Sequence, residues 1–171
     1  TVAECDAAAD RNLTAPNQES NPTFRQGKEQ GTGTWTEIVK IRDTDLCTTK
    51  KAPTDKTKFN YVMTLECLPA ADGGHPTNAG RVHNQYSYID AVAMKSTDPK
   101  QSGSYKRRQA VVNSLLSAVG VDVKAGIPSY ASWFKGEKPL VGQKVAAIIR
   151  KYRNNNTGEF GVDIDGFLPV N

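Results

Sequence analysis

The sequence predicts a mainly β domain, a five-stranded barrel with one main helix. Three observations support this: three strand patterns come first, one apolar-striped helix follows, and a pair of strands closes the chain. The predicted segments are, in order, Thr34–Arg42, Lys58–Leu68, Arg81–Ile89, the helix Tyr105–Val119, Leu140–Lys151 and Phe160–Leu168. The chain order strand-strand-strand-helix-strand-strand is that of the OB-fold, a small barrel that commonly binds single-stranded nucleic acid or sugars.

An irregular arm, residues 1–33, precedes the predicted barrel of residues 34–171. Prolines, glycines and asparagines interrupt every periodic pattern in the arm. Such a segment packs along its own domain or exchanges with a neighbouring copy. The arm therefore makes a homo-oligomer one option. The total of 171 residues suits one domain with an extension.

The strand predictions rest on alternation of apolar and polar residues, which places alternate side chains on opposite faces of a sheet. In the second strand one face collects five apolar side chains, Phe59, Tyr61, Met63, Leu65 and Cys67. In the third strand Val82, Tyr86 and Tyr88 share the apolar side, where some of the rings must be core, and the polar side chains share the other side. The expected outward residues there are Arg81, His83, Gln85 and Ser87.

The helix prediction rests on a stripe of Val and Leu residues between Val111 and Val119. Ser104 is the predicted N-cap and Gly120 the predicted stop. Residues 106–108, Lys-Arg-Arg, then fall in the first turn, where cations oppose the helix dipole. This placement favours a role outside helix stability, such as contact with phosphate.

Composition and charge bound the class of protein. The net charge is +4, and residues 1–31 carry three basic and five acidic side chains, so the predicted barrel carries +6. A basic domain favours a polyanionic partner. No apolar run is long enough to span a bilayer, and no signal peptide is visible at the start. Three widely separated cysteines favour a reducing compartment, so we expect a cytoplasmic protein without a disulfide framework.

Catalytic and metal motifs are weak, which predicts a non-enzymatic protein without a cofactor or a bound metal. Cys67 and His83 could meet across neighbouring strands, but no local nucleophile signature accompanies them. Cys67 is more simply a small core residue. Asp163 and Asp165 share a strand face and could hold a divalent cation, although solvated surface charge is the simpler interpretation.

The remaining pattern combines cations with aromatic rings on consecutive strands. Cations that follow phosphates and rings that stack on bases are what a single-strand groove needs. For each ring, core packing is at least as good an interpretation as stacking. The predicted nucleic-acid-binding residues are Trp35, Lys40, Arg42, Lys50, Lys51, Lys58, Tyr61, Arg81, His83, Tyr86, Arg150, Tyr152 and Arg153.

The second half of the chain resembles the OB-fold single-stranded DNA-binding proteins of bacteriophages. The resemblance rests on the helix Arg108–Gly120, the strand entry Leu140–Ile149 and the ending Val162–Pro169. It implies sequence-tolerant binding of single-stranded DNA in phage replication or recombination, in the host cytoplasm and without catalysis. RNA is the alternative nucleic acid.

Two other functions stay open at this point. The first is a structural or adaptor module that uses the arm 1–33 to engage neighbouring molecules. The second is a metal-dependent nuclease that uses Asp163 and Asp165.

Overall fold

The structure is a computed structural model that describes residues 33–76, 78–127 and 129–170. Nearly all of the predicted arm, residues 1–32, lies outside this description. Five strands and three α-helices follow one another along the described chain, together with two 3₁₀ turns at Ala70–Asp72 and Val123–Ala125. The elements are β1 Gly33–Thr48, β2 Lys58–Cys67, β3 Val82–Asp90, α1 Ala91–Met94, α2 Pro99–Ala118, α3 Tyr130–Phe134, β4 Lys144–Arg153 and β5 Phe160–Leu168.

All five strands form one antiparallel sheet with the order β3-β2-β1-β4-β5. The prediction of a mainly β fold with five strands is therefore confirmed. The prediction of a closed barrel is not, because no strand pairing joins β3 to β5 within the described residues. The strands also do not lie side by side in the chain order β1-β2-β3-β4-β5, on which the prediction was based.

Strand β1 belongs to both halves of the sheet. Its first half, Gly33–Lys40, pairs with β4, and its second half, Val39–Thr48, pairs with β2. A bulge between Ile41 and Asp43 separates the two halves, and bulges bend a strand and increase its twist. Past this bulge the strand runs six residues beyond its predicted end at Arg42. The polar residues that follow Arg42 had suggested a loop.

The core lies between the concave side of this sheet and helix α2. It contains the predicted apolar face of β2, with Tyr61 and Cys67 among its members. The sheet, the helices α2 and α3 and the segment before β4 all contribute fully buried side chains, namely Val39, Ile41, Met63, Leu65, Ile89, Val112, Leu115, Leu116, Phe134, Leu140, Val145 and Ile149. A smaller apolar cluster of Cys47, Val62 and Tyr86 lies on the opposite, convex side.

Strand β3 faces the other way from the prediction. His83 is opposite Leu65, and Ser87 is opposite Tyr61, so His83 and Ser87 point toward the core side and are buried. Tyr86 is opposite Val62 and lies on the convex side. Pairing register sets which face is buried, and a one-residue difference reverses every side chain.

Helix α2 begins earlier than predicted. Asp98 is the N-cap, its side chain accepts a hydrogen bond from Lys100 N at 3.0 Å, and Pro99 occupies the first turn. Ser104 is therefore inside the helix. Residues 106–108 lie about two turns from its start, so the prediction that they lie in the first turn and oppose the helix dipole is wrong. Gly120 does end the segment, with a φ of 93° that favours glycine.

Two further boundaries differ from the prediction. The segment 121–138, predicted as a loop, contains the helix α3, whose N-cap Ser129 accepts from Ser132 N at 3.2 Å. The fourth strand begins at Lys144 instead of Leu140, because the chain turns at Gly142 with a φ of 92°.

Cys47 forms a disulfide, whereas Cys67 is a free, buried thiol. The expectation of reduced cysteines is thus wrong for Cys47, and the inference of a reducing compartment loses its basis. The core position predicted for Cys67 is confirmed. Within residues 33–170, no described helix is long and apolar enough to cross a membrane.

Candidate nucleic-acid interface

A cleft of about 940 Å³ separates the two edge strands, with α2 forming its floor. We call it the β3–β5 cleft. Its lining residues include three arginines, two aspartates and two tyrosines. Its polar and aromatic lining residues are His83, Asn84, Gln85, Tyr86, Ser87, Ser104, Arg107, Arg108, Arg150, Tyr152, Asp163 and Asp165.

Arg150 is held in this cleft by two carboxylates. Its Nε donates to both carboxylate oxygens of Asp165 at 3.1 Å, and its terminal nitrogen lies 3.4 Å from Asp163 Oδ2. The guanidinium carbon also lies 5.2 Å from the centroid of the Tyr152 ring. Arg150 is therefore fixed in position, but much of its charge is already neutralised.

Tyr152 presents an aromatic ring at the mouth of the cleft. Its side chain is 38% exposed, and its ring covers Gly161 on the adjacent strand β5, the residue directly opposite in the register. A Cβ atom added to Gly161 would lie 2.6 Å from the Tyr152 ring. The absence of a side chain at position 161 thus allows the ring to lie against the backbone.

His83 lies deep in the cleft and is 7% exposed. Its Nε2 is 3.0 Å from Gln85 Oε1, and Gln85 Nε2 donates to Asp163 Oδ1 at 3.4 Å, so a polar chain crosses from β3 to β5. Burial lowers the pKa of His83, outweighing the hydrogen bond with Gln85 and the charge of Asp163. His83 is then neutral at pH 7, so its predicted role as a cation for phosphate is not supported.

Arg107 and Arg108 bring positive charge from α2 to the cleft. Both side chains are exposed. Arg108 donates to Tyr88 O at 3.2 Å and lies 5.5 Å from the centroid of the Tyr105 ring. With His83 neutral, the three arginines and two aspartates that line the cleft give it a net charge of +1.

Two predicted stacking rings are unavailable. Tyr61 is 3% exposed, and its ring packs edge-on against Phe59, Tyr130 and Phe134 at centroid distances of 5.1 to 5.8 Å. Burial raises the pKa of Tyr61 to about 12. Trp35 is half-buried and packs on the core, with its indole nitrogen enclosed. Both rings point inward because they alternate with the outward-facing residues of β2 and β1.

The other predicted cations lie at separate positions outside the β3–β5 cleft. Lys50 and Lys51 are exposed in the β1–β2 loop, and Lys58 at the start of β2 forms an ion pair of 3.8 Å with Asp55. Lys40 lies between Glu66 and Lys144 in the register, Arg42 is exposed at the β1 bulge, and Arg81 is half-buried just before β3.

Arg153 belongs to the β4–β5 hairpin, where its Nε donates to Gly158 O at 3.2 Å. The structure thus brings together His83, Tyr86, Arg150 and Tyr152, and leaves the other nine predicted residues elsewhere. Gln85 and Asp163 were not predicted as nucleic-acid-binding residues, and Arg107 was considered for phosphate contact but was not placed with this group. Gly161, opposite Tyr152 in the hairpin, could have indicated from the sequence that the Tyr152 ring lies against β5. The contact of α2 with both edge strands could not be predicted from the sequence.

The groups considered for catalysis are occupied by structural contacts. Burial raises the pKa of the Cys67 thiol, and the nearby carboxylate of Glu37 raises it further, which makes this thiol a poor nucleophile. Asp163 and Asp165 share Arg150 as a partner. Within the described residues, no three His, Cys, Asp or Glu side chains are arranged to hold a metal ion.

Comparison with known proteins does not assign the chain to a family. No family model matches it, and no curated protein is significantly similar to it in sequence.

Proposed function

We propose that this chain is a non-enzymatic, sequence-tolerant single-stranded DNA-binding protein with an OB-like, partly open barrel. The fold part of the proposal is supported by the bend in β1 and by the approach of the two sheet edges. Gln85 on β3 reaches Asp163 on β5 through side chains, and α2 packs beneath both strands. An OB-fold is itself described as a partly open barrel of five strands.

The observation that carries the functional proposal is the meeting of rings and arginines in one cleft. Tyr86 lines the cleft from the convex side of β3, Tyr152 lines it from β4, and Arg107 and Arg108 line it from α2. Each base that stacks on an aromatic ring contributes roughly 1–3 kcal/mol, with little dependence on base identity. Two rings therefore give sequence-tolerant binding even where the positive charge is modest.

The charge of the cleft sets the expected salt dependence. Arg150 is already paired, which leaves Arg107 and Arg108 as the main phosphate contacts. Each phosphate neutralised on a single strand contributes about 0.7 to the slope of log K against log salt. Two contacts predict a slope near −1.4, which is about a sevenfold loss of affinity between roughly 50 and 200 mM salt.

The wider role we propose is in phage DNA replication or recombination, in the cytoplasm of a host cell. Cytoplasmic thiols reduce accessible disulfides. Cys47 is 4% exposed, and this burial limits the approach of a reductant to its disulfide.

A fluorescence-anisotropy titration with labelled oligo-dT tests this proposal. We expect saturable binding at low salt, competition by unlabelled single-stranded DNA and weaker competition by duplex DNA. An RNA competitor of the same length decides between the two single-stranded polymers. Absence of binding at low salt would contradict the proposal, and degradation of the oligonucleotide with added Mg²⁺ or Mn²⁺ would favour a nuclease instead.

A further inference from the structure

A second concavity of about 510 Å³ lies at the other end of the core, between the end of β1, the start of β2 and helix α3. We call it the Tyr130 pocket. Phe59 and Tyr130 provide two half-buried aromatic rings in its wall, with the buried Tyr61 ring packed behind them, and Leu46 adds an aliphatic side chain. A volume in this range is typical of small-molecule sites.

The wall of this pocket is held rigid from three directions. Thr44 Oγ1 donates to Phe134 O at 2.9 Å, which ties α3 to β1. The Tyr130 hydroxyl donates to Asn113 Oδ1 at 2.8 Å, which ties the ring to α2. The rings of Tyr61 and Tyr130 meet at a centroid distance of 5.8 Å. The pocket is thus largely formed before any ligand arrives.

The charges at the pocket are of one sign. Lys56 and Lys135 line it, both are exposed, and neither forms an ion pair within the described residues. Among the described residues, no acidic side chain lines the pocket. Lys135 Nζ lies 3.5 Å from Leu46 O, which keeps this ammonium beside the aromatic wall. An anion attached to a flat apolar ring complements this arrangement.

The polar groups in the wall are few and already engaged. The Tyr130 hydroxyl is bound to Asn113, and Thr48 Oγ1 donates to Pro53 O at 2.9 Å. Few donors or acceptors remain to read the edge of a base. The pocket therefore selects for a flat ring and a nearby negative charge, and not for the identity of the ring.

We propose that the Tyr130 pocket binds one nucleoside 5′-monophosphate unit, with the base against the rings and the phosphate between Lys56 and Lys135. This inference deepens the proposed function by adding a site for a single nucleotide outside the β3–β5 cleft. The unit has two sources, a free nucleotide or the phosphorylated end of a single strand. Both present the same chemistry to the pocket.

The test uses dTMP, thymidine and inorganic phosphate as probes of the full chain, followed by amide resonances in ¹H–¹⁵N NMR spectra. We expect dTMP to shift the resonances of Thr48, Lys56 and Tyr130 in a saturable way. Thymidine should bind about tenfold more weakly, because it lacks the phosphate. Equal binding of thymidine and dTMP, or no shift at these residues, would overturn the inference.

Surface variants keep the test independent of folding. Lys56→Ala combined with Lys135→Ala should weaken dTMP binding about tenfold and leave thymidine binding unchanged. The matched control, Lys100→Ala combined with Lys124→Ala, removes two exposed lysines elsewhere and should bind dTMP normally. Equal weakening in both pairs would mean general charge attraction and would overturn the site.

Two comparisons separate this inference from the proposed function. Competition between dTMP and a 5′-phosphorylated oligo-dT, followed by the resonances of Thr48 and Lys56, shows whether a strand end enters the same pocket. Displacement of dTMP supports the inference. Independent binding of the two molecules contradicts entry of the strand end. Tyr152→Ala should weaken oligo-dT binding without changing dTMP binding. If dTMP fails to bind while oligo-dT binds normally, this inference fails and the proposed function stands.

Discussion

The ring of Tyr152 lies over Gly161 on the neighbouring strand, in the register position where any other residue would place a side chain. This relationship keeps an aromatic surface at the mouth of the β3–β5 cleft. It also links a strand glycine, which normally weakens a sheet, to the proposed binding of bases.

Gly161→Ala tests the role of that glycine. The added methyl group meets the far end of a flexible ring, so the ring should move aside with a stability change under about 1 kcal/mol. Because the displaced ring no longer occupies its position, we expect oligo-dT affinity to fall several-fold by anisotropy titration.

Gly103→Ala is the matched control for this substitution. Gly103 lies in α2 with open space around its Cβ position, so alanine should stabilise the helix by about 1 kcal/mol and leave DNA binding unchanged. An unchanged affinity in Gly161→Ala would show that the position of Tyr152 does not matter for binding.

Tyr152→Ala and Tyr152→Phe separate stacking from hydrogen bonding. Loss of the ring should cost roughly 1–3 kcal/mol of binding free energy for a stacked base, whereas phenylalanine keeps the ring and should keep most of the affinity. The measurement is the dissociation constant for oligo-dT at constant salt. Equal losses in both variants would argue against stacking.

Arg107→Ala tests the phosphate contact from α2. Removal of one phosphate contact should reduce the slope of log K against log salt by about 0.7. Lys124→Ala, which removes an exposed lysine outside the cleft, should leave the slope unchanged. An identical slope in wild type and Arg107→Ala would place the phosphates elsewhere.

Burial of neutral His83 predicts a loss of stability in mild acid. The pKa of His83 is lowered in the folded protein from its ordinary value of 6.5, so the unfolded chain binds more protons below that pH. The free energy of unfolding should therefore decrease as the pH falls below about 6.5. Urea titrations at several pH values measure this decrease.

His83→Gln should make this pH dependence shallower, because glutamine cannot take up the proton. His75→Gln replaces the other of the two histidines and serves as the control. A pH profile for His83→Gln that matches the wild type would assign the acid sensitivity to other groups.

The disulfide at Cys47 should protect this residue from alkylation. Alkylation of the unfolded, unreduced protein should modify Cys67 and spare Cys47, as read by peptide mass spectrometry. Reduction should lower the free energy of unfolding by about 2–4 kcal/mol, within the usual range for native disulfides. Alkylation of Cys47 without reductant would contradict the disulfide.

Alternation in the sequence was enough to predict the β2 core face, because Phe59 through Cys67 alternate over a long, uninterrupted strand. It failed for β3, where Tyr86 and Tyr88 suggested the buried side. The interior near His83 is polar because β3 is an edge strand whose inner side opens into the cleft. Register with a neighbouring strand decides such a case, and a single strand does not encode its register.

The candidate site was predictable only in part. Tyr152 and Arg150 are neighbours in sequence and were found together, whereas Arg107 joins them only because α2 packs beneath both sheet edges. The pairing of Arg150 with Asp163 and Asp165 depends on a bulge in the β4–β5 register. That bulge brings two carboxylates to one arginine, an arrangement that residue spacing alone does not reveal.

The proposed function depends on the entry of single-stranded DNA into the β3–β5 cleft. Titration with unphosphorylated oligo-dT, followed by amide resonances, examines this directly, since each residue reports its own environment. We expect saturable shifts at Tyr86, Arg107, Tyr152 and Gly161. Saturable binding that leaves these four residues unperturbed, or no binding at all, would contradict it.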